Sequence, residues 1–237
     1  MSTTEMPARP SASRSALPRD ILRGRPRIPG VGFGFASVHE GPWPAVHDAE
    51  TGLADRMPPA RAAEFRTGRR AVRRALLEAG LTPGPVLRDG RRPLPPPGTA
   101  VSVSHSGGVA VALAGSAAGF PALGVDLELG TLPAGAAHLV LHPAEQRPPT
   151  GAGDQWLTTV FSAKEAAYKA FSALLDDTAR RRGALPGLRA IRMLRTPAGF
   201  TARVDAVPGA AVEVTVHRFP GGVLTWALPE PGGTPPD

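Results

Sequence analysis

Between residues 100 and 129 the chain runs in short stretches of alternating apolar and polar side chains, a pattern that admits β-strands and excludes a membrane helix. Val101 and Val103 alternate with Ser102 and Ser104 in the run 100–108. Residues 108–116 follow as its hairpin partner through Gly107-Gly108. A third run, 122–129, sets Leu123, Val125, Leu127 and Leu129 on one face and Asp126 and Glu128 on the other. Residues 102–125 carry no formal charge, but Gly, Ser and His interrupt them, so no membrane span is expected.

Helical patterns flank these strands. The first covers about 59–79, with Gly80 as its stop. Phe65, Val72, Leu76 and Leu77 fall near one stripe, and Arg61, Arg69, Arg70 and Arg73 occupy the rest. A turn-rich segment, 82–98, holds a short strand at Val86–Arg88. After a Pro- and Gly-rich loop at 143–153, a second helix is expected from about Gln155 to Ser172. The stretches 191–204, 210–219 and 223–228 read as an antiparallel meander. Each half thus repeats one plan, a helix and short strands, with Ala122 as the boundary. The expectation is an α+β protein with an N-terminal half at 29–121 and a C-terminal half at 122–228. Residues 1–28 and 229–237 read as disordered tails. The first of these is rich in Arg, Ser and Pro like a transit peptide, but it lacks an apolar core region and a cleavage site.

Composition narrows the chemistry. With 237 residues the chain can bury a substantial core. It has no cysteine, which excludes disulfides, thiolate zinc sites and a cysteine nucleophile. The fragment His142-Pro143-Ala144-Glu145 therefore does not belong to a zinc nucleobase deaminase. A net charge of +7 and a pI near 11.2 favour acidic partners: nucleic acid, phosphorylated cofactors or an acidic protein. Of 27 basic residues only two are lysine, Lys164 and Lys169, and both lie in one helical segment. Lysine carries a compact, movable point charge where arginine presents a planar fork, so this pair points to chemistry that needs an ammonium.

On the residues alone, each candidate admits two readings. Asp126 and Glu128 form either a solvated strand face or hard oxygen ligands for Mg2+ or Mn2+. Glu165 and Lys169, four apart on a helix, suit a surface ion pair or a site. Ser104-His105-Ser106 before two glycines is not a hydrolase elbow. Its histidine is either structural or a phosphate contact. The arginines at 61, 69, 73 and 74 are a solvated face or a phosphate clamp.

Their order along the chain is more specific. It reads Arg-x-x-Glu-Phe-x-x-Gly-Arg (61–69), Ser-His-Ser (104–106), Gly-Val-Asp-Leu-Glu (124–128) and Phe-Ser-x-Lys-Glu-Ala-x-Tyr-Lys (161–169). This succession resembles the 4′-phosphopantetheinyl transferases, in particular the large monomeric surfactin-type group and its enterobactin-synthase-associated branch. The resemblance covers about 40–228. It implies two pseudo-symmetric subdomains, each a helix on a small antiparallel sheet, with the active site in the cleft between them. It also implies transfer of phosphopantetheine from coenzyme A to a serine of an apo acyl or peptidyl carrier protein, with release of 3′,5′-ADP.

By the same resemblance, Asp126, Glu128 and Glu165 would ligate Mg2+ or Mn2+, and Lys169 would assist the leaving group. Lys164 would contact cofactor phosphates. Arg61, Arg69 and His105 would hold the nucleotide phosphates, Ser104 would support their loop, and Arg91 or Arg92 would reach the 3′-phosphate. Glu145 would take the proton of the carrier serine. The chain departs from the pattern in having Phe161 for a tryptophan, and Pro95-Pro96 for a Trp-Pro, which removes an aromatic from the nucleotide side. Arg180, Arg181 and Arg182 with Asp176 and Asp177 read as a loop. A cytoplasmic monomer with no specific nucleic-acid partner is expected. The competing readings are a basic nucleic-acid-binding protein and a Mg2+-dependent phosphohydrolase. Against the first, aromatics are 5% and no recognition motif is present.

Overall fold

The computed structural model describes residues 21, 23, 25, 27–40, 47–90, 92–145, 155–175, 178–179, 182–183, 185 and 187–229. The expectations for Arg91, for Asp176, Asp177, Arg180 and Arg181, for most of the 143–153 loop and for the chain ends at 1–20 and 230–237 lie outside these residues.

Among the described residues the strands are β1 (Val31–Ser37), β2 (Leu87–Asp89), β3 (Arg92–Leu94), β4 (Thr99–Ser106), β5 (Val109–Ser116), β6 (Gly124–Leu129), β7 (Arg192–Thr196), β8 (Gly199–Arg203), β9 (Val212–Phe219) and β10 (Gly222–Pro229). The α-helices are α1 (Asp48–Ala54), α2 (Pro59–Glu78), α3 (Ala137–Val140) and α4 (Trp156–Leu174). One antiparallel sheet has the order β1-β5-β4 and a second the order β6-β10-β9-β8-β7, while β2 and β3 form a separate hairpin. This is the α+β architecture expected, with helices on two antiparallel sheets. No described helix is long and apolar enough to cross a membrane.

The layers follow from side-chain alternation. On β5, Ala110, Ala112 and Ala114 pack with Ala71, Val72, Ala75 and Leu76 of α2. The intervening Val109, Val111 and Leu113 face the other way, joining Phe33, Leu127, Leu224 and Trp226 in a core between the two sheets. Phe33 meets Trp226 edge to face at 5.4 Å. The far face of the second sheet is covered by α4, through Val160, Ala163, Ala167 and Phe171 against Phe200, Val212 and Val214. The order is therefore helix, sheet, sheet, helix.

Local chemistry sets the boundaries. The Gly107-Gly108 turn has φ of +57° and +79° and joins Ser106 to Val109, the geometry of a two-residue type I′ hairpin. Pro59 opens α2 at a position where a missing N–H costs nothing. At its other end Gly80 N–H donates to Leu77 O and Leu81 N–H to Leu76 O, a Schellman closure. Leu77 does not share the buried stripe as expected; it is 63% exposed, because it lies about 100° round the helix from Leu76.

Four elements are absent from the sequence expectations: α1, α3, β3, and β1, whose alternation of Val31, Phe33 and Phe35 with glycine hides a doubly buried strand. Gly34 is required there, since a Cβ would overlap the carbonyl oxygen of Ala71. Two described residues of the expected N-terminal tail pack against the fold. Ile21 is fully buried in the inter-sheet core, and Arg25 pairs with Glu78 and lies 4.6 Å from the Phe33 ring centroid.

Candidate active site

The site begins with the contact of α4 on β6. Gly124 permits it: a Cβ at that position would overlap the Ala166 carbonyl. This close approach brings the helix residues Glu165 and Lys169 over the strand carboxylates. Lys169 Nζ donates to Asp126 Oδ1 at 2.8 Å and to the Val125 carbonyl at 2.9 Å. Lys169 is thus engaged with the strand across the helix–sheet interface. Asp126 is almost fully buried, and its Oδ2 has no hydrogen-bond partner.

The three acids expected to act together are electrostatically coupled. Burial raises the Glu128 carboxyl to about 7, assisted by the charge of Asp126 and opposed by Lys169. Burial also raises Glu165, with Lys169 opposing and Asp126 assisting. The charge of Asp126 makes both glutamates harder to ionise, and Glu165 adds to this at Glu128; a cation is what relieves such a set.

Strand β4 supplies the facing wall. Ser104 Oγ donates to Asp126 Oδ1 at 2.8 Å. The His105 ring lies on Gly68 of α2, with Nε2 2.9 Å from the Glu64 carbonyl. Nε2 therefore carries the hydrogen. Although the residue keeps an exposed edge, packing on the helix lowers its pKa, and the positive charges of Arg61 and Lys169 lower it further. Arg61 is exposed and paired with Glu64 at 2.9 Å, so Arg61, His105 and Lys169 share one neighbourhood.

Other expected residues are placed differently. Arg69 is buried, stacked 4.2 Å from the Phe65 ring centroid, and donates to the Leu87 carbonyl. Burial lowers its pKa to about 10. Its guanidinium is a structural strut rather than a face for phosphate. Arg70, Arg73 and Arg74 are also committed internally, to Thr67, Glu50 and Glu40, while Arg66 pairs at the surface with Asp55 at 3.0 Å. Of the four arginines expected to share a basic face, Arg61, Arg69, Arg73 and Arg74, only Arg61 is exposed.

Lys164 and Glu145 call for the main correction. Lys164 is fully buried on the core side of α4, with Nζ 2.6 Å from Glu145 Oε2. Glu145 also accepts from the backbone N–H of His142 at 2.9 Å and of Met193 at 2.8 Å. Adjacent helix positions point about 100° apart, so Lys164 cannot follow Glu165 into the carboxylate site. These two residues tie the turn at Pro143–Glu145 to α4 and β7. That geometry does not support a phosphate contact for Lys164 or a free general base at Glu145.

A cavity of about 740 Å³ opens between β4 and α4. Glu165, Lys169 and Tyr168 line its helix side, Ser102 and Val103 its strand side, and Arg92 with Pro95 and Pro96 its rim. Tyr168 of the 161–169 motif and Pro95-Pro96, expected on the nucleotide side, thus both border the cleft. As they stand, no three His, Asp or Glu side chains among the described residues are drawn together as a metal-binding group. The donor set nonetheless fits a hard cation: three coupled carboxylates, one with a buried oxygen that lacks a partner.

Comparison with known proteins finds one family along both halves of the chain. A model of the 4′-phosphopantetheinyl transferase N-terminal domain matches residues 49–115, and a model of the 4′-phosphopantetheinyl transferase superfamily matches 122–218. The chain is 35% identical over 148 residues to the 4′-phosphopantetheinyl transferase Svp of Streptomyces mobaraensis, covering 59% of this chain and 60% of that protein. It is 36% identical over 116 residues to the 4′-phosphopantetheinyl transferase PptT of Mycobacterium tuberculosis, covering 47% of this chain and 51% of that protein. The matches thus span between about half and three-fifths of these relatives' length. With consecutive models of one family on both halves, and the acidic cluster and cleft at their junction, the chain belongs to the 4′-phosphopantetheinyl transferase superfamily.

Proposed function

We propose that this protein transfers 4′-phosphopantetheine from coenzyme A to a serine hydroxyl of an apo acyl or peptidyl carrier protein. In that reaction the serine oxygen bonds to the phosphorus that carries pantetheine. The bond from that phosphorus to the bridging oxygen breaks, 3′,5′-ADP leaves with the electron pair, and the hydroxyl proton passes to solvent water. The observation that carries the reading is the 740 Å³ cleft lined by Glu165 and Lys169, with Asp126 bonded to Lys169 and Glu128 coupled to both, in a chain of this superfamily. A cavity of that size suits a cofactor-sized ligand.

Asp126, Glu128 and Glu165 are the residues that would hold Mg2+, which when bound neutralises pyrophosphate charge. Lys169 adds a mobile ammonium beside them, suited to charge that develops on the departing phosphate. His105 and Arg61 would take the nucleotide phosphates. An anion beside the imidazole favours its protonated form, which reverses the effect of its packing. Arg92, at the rim, is the described candidate for the 3′-phosphate. The internal commitment of Arg69, Arg70, Arg73 and Arg74 weakens the nucleic-acid reading.

The test is intact-mass measurement of an apo carrier protein incubated with this protein, coenzyme A and Mg2+. A gain of one phosphopantetheinyl group, absent with EDTA and with Glu165→Gln, is expected. Binding of coenzyme A without transfer to any of several acyl and peptidyl carriers would sink the proposal.

A further inference from the structure

The two sheets meet along a seam built from serine side chains. Strands β4 and β6 belong to different sheets, yet they run side by side. Val125 N–H donates to Ser102 Oγ at 3.0 Å, and Leu129 N–H donates to Ser106 Oγ at 3.1 Å. Both pairs are separated by 23 residues, so the strands run in the same direction in register. Serines at 102, 104 and 106 share one face of β4 because strand side chains repeat every second residue. The outer two satisfy backbone donors that a sheet edge would otherwise leave unpaired.

The middle serine breaks the pattern. The same register sets Ser104 opposite Leu127, but its hydroxyl donates to Asp126 Oδ1, one position short. Oδ1 thus receives two donors, Ser104 Oγ at 2.8 Å and Lys169 Nζ at 2.8 Å. Oδ2 receives none and is buried. A lysine on a flexible stem does not fix the plane of a carboxylate. A buried serine on a strand constrains it better, since its side chain has one short torsion where lysine has four.

We infer that Ser104 is a positioning residue: its hydroxyl holds Oδ1 of Asp126 and so leaves Oδ2, which has no protein partner, as the oxygen that would ligate a divalent cation. The inference rests on the proposed function for the identity of the site and assigns to one half of the molecule the orientation of a ligand in the other. Partners that hydrogen-bond a metal ligand from behind change metal affinity by roughly 10- to 100-fold when removed.

The experiment titrates Mn2+ into the full chain with saturating coenzyme A and reads free Mn2+ by its electron paramagnetic resonance signal. Ser104→Ala should weaken Mn2+ binding by about tenfold or more, and Ser104→Thr, which keeps the hydroxyl, should restore most of the affinity. Ser106→Ala removes a seam bond without touching a carboxylate. It should lower the urea midpoint as Ser104→Ala does and leave Mn2+ affinity unchanged. Equal Mn2+ affinity in wild type and Ser104→Ala overturns the inference. So does an equal loss in Ser106→Ala, which would make the effect one of seam stability. No Mn2+ binding by the wild type removes the cation site and the inference with it. Failure of carrier modification alongside Ser104-dependent Mn2+ binding would overturn the proposed function and leave the role of Ser104 standing.

Discussion

Lys164 Nζ lies 2.6 Å from Glu145 Oε2, and the lysine side chain has no solvent exposure. Removing one member of a buried pair strands the other charge, at a cost of about 3–5 kcal/mol, whereas removing both is far milder. Lys164→Met should therefore lower the urea midpoint strongly, and Lys164→Met with Glu145→Gln should recover much of it. Denaturation of the single and double variants measures the coupling. A single variant as stable as the wild type, but inactive with a carrier protein, would return Lys164 to the cofactor.

Glu128, raised to about 7 by burial and by Asp126, makes cation binding compete with a proton. At pH about 6 the group is mostly protonated, and by about 8 it is ionised. Affinity for Mg2+ should rise across that interval and then level off, and Glu128→Gln should flatten the profile. Calorimetric titration at several pH values checks this; a flat wild-type profile contradicts it. Without a cation the sign reverses for stability. The folded state holds this proton more tightly than the unfolded chain, so stability falls as pH rises from the ordinary 4.5 through about 7.

Gly68 is the floor under His105, and a Cβ there would come within 2.6 Å of Nε2. The imidazole can move, and alanine is the better helix former by up to about 1 kcal/mol. Gly68→Ala should therefore keep or raise the melting temperature while it displaces the ring. Loss of one charge-assisted contact, about 1.5 kcal/mol, predicts coenzyme A binding weaker by roughly tenfold. Unchanged coenzyme A affinity in a stable Gly68→Ala protein would remove His105 from the cofactor site.

Gly34 has no such slack, because its neighbour is the backbone of α2. Gly34→Ala forces helix and strand apart and should cost about 1–3 kcal/mol or more. A shift in the urea midpoint with an unchanged slope is the expected record. Wild-type stability would mean that α2 does not lie on β1 as described.

Much of the architecture was legible along the chain because strand and helix periods are local properties. The alternation over 100–129 marked β4, β5 and β6, and Gly107-Gly108 marked their turn, since both depend on residues within a few positions of each other. The spacing of Asp126 and Glu128, and of Glu165 and Lys169, likewise puts each pair on one face of its own element. Pairings between distant residues were not legible. Whether Leu77 or Leu76 is covered, whether Arg69 meets phosphate or the Leu87 carbonyl, and whether Lys164 faces the cleft or Glu145 all depend on which element packs against which side of a helix. A one-residue step rotates a side chain by about 100°, so the motif Lys164-Glu165 sends one charge into the core and its neighbour into the site. That choice was set when Gly124 let α4 settle on β6, a contact between segments more than forty residues apart.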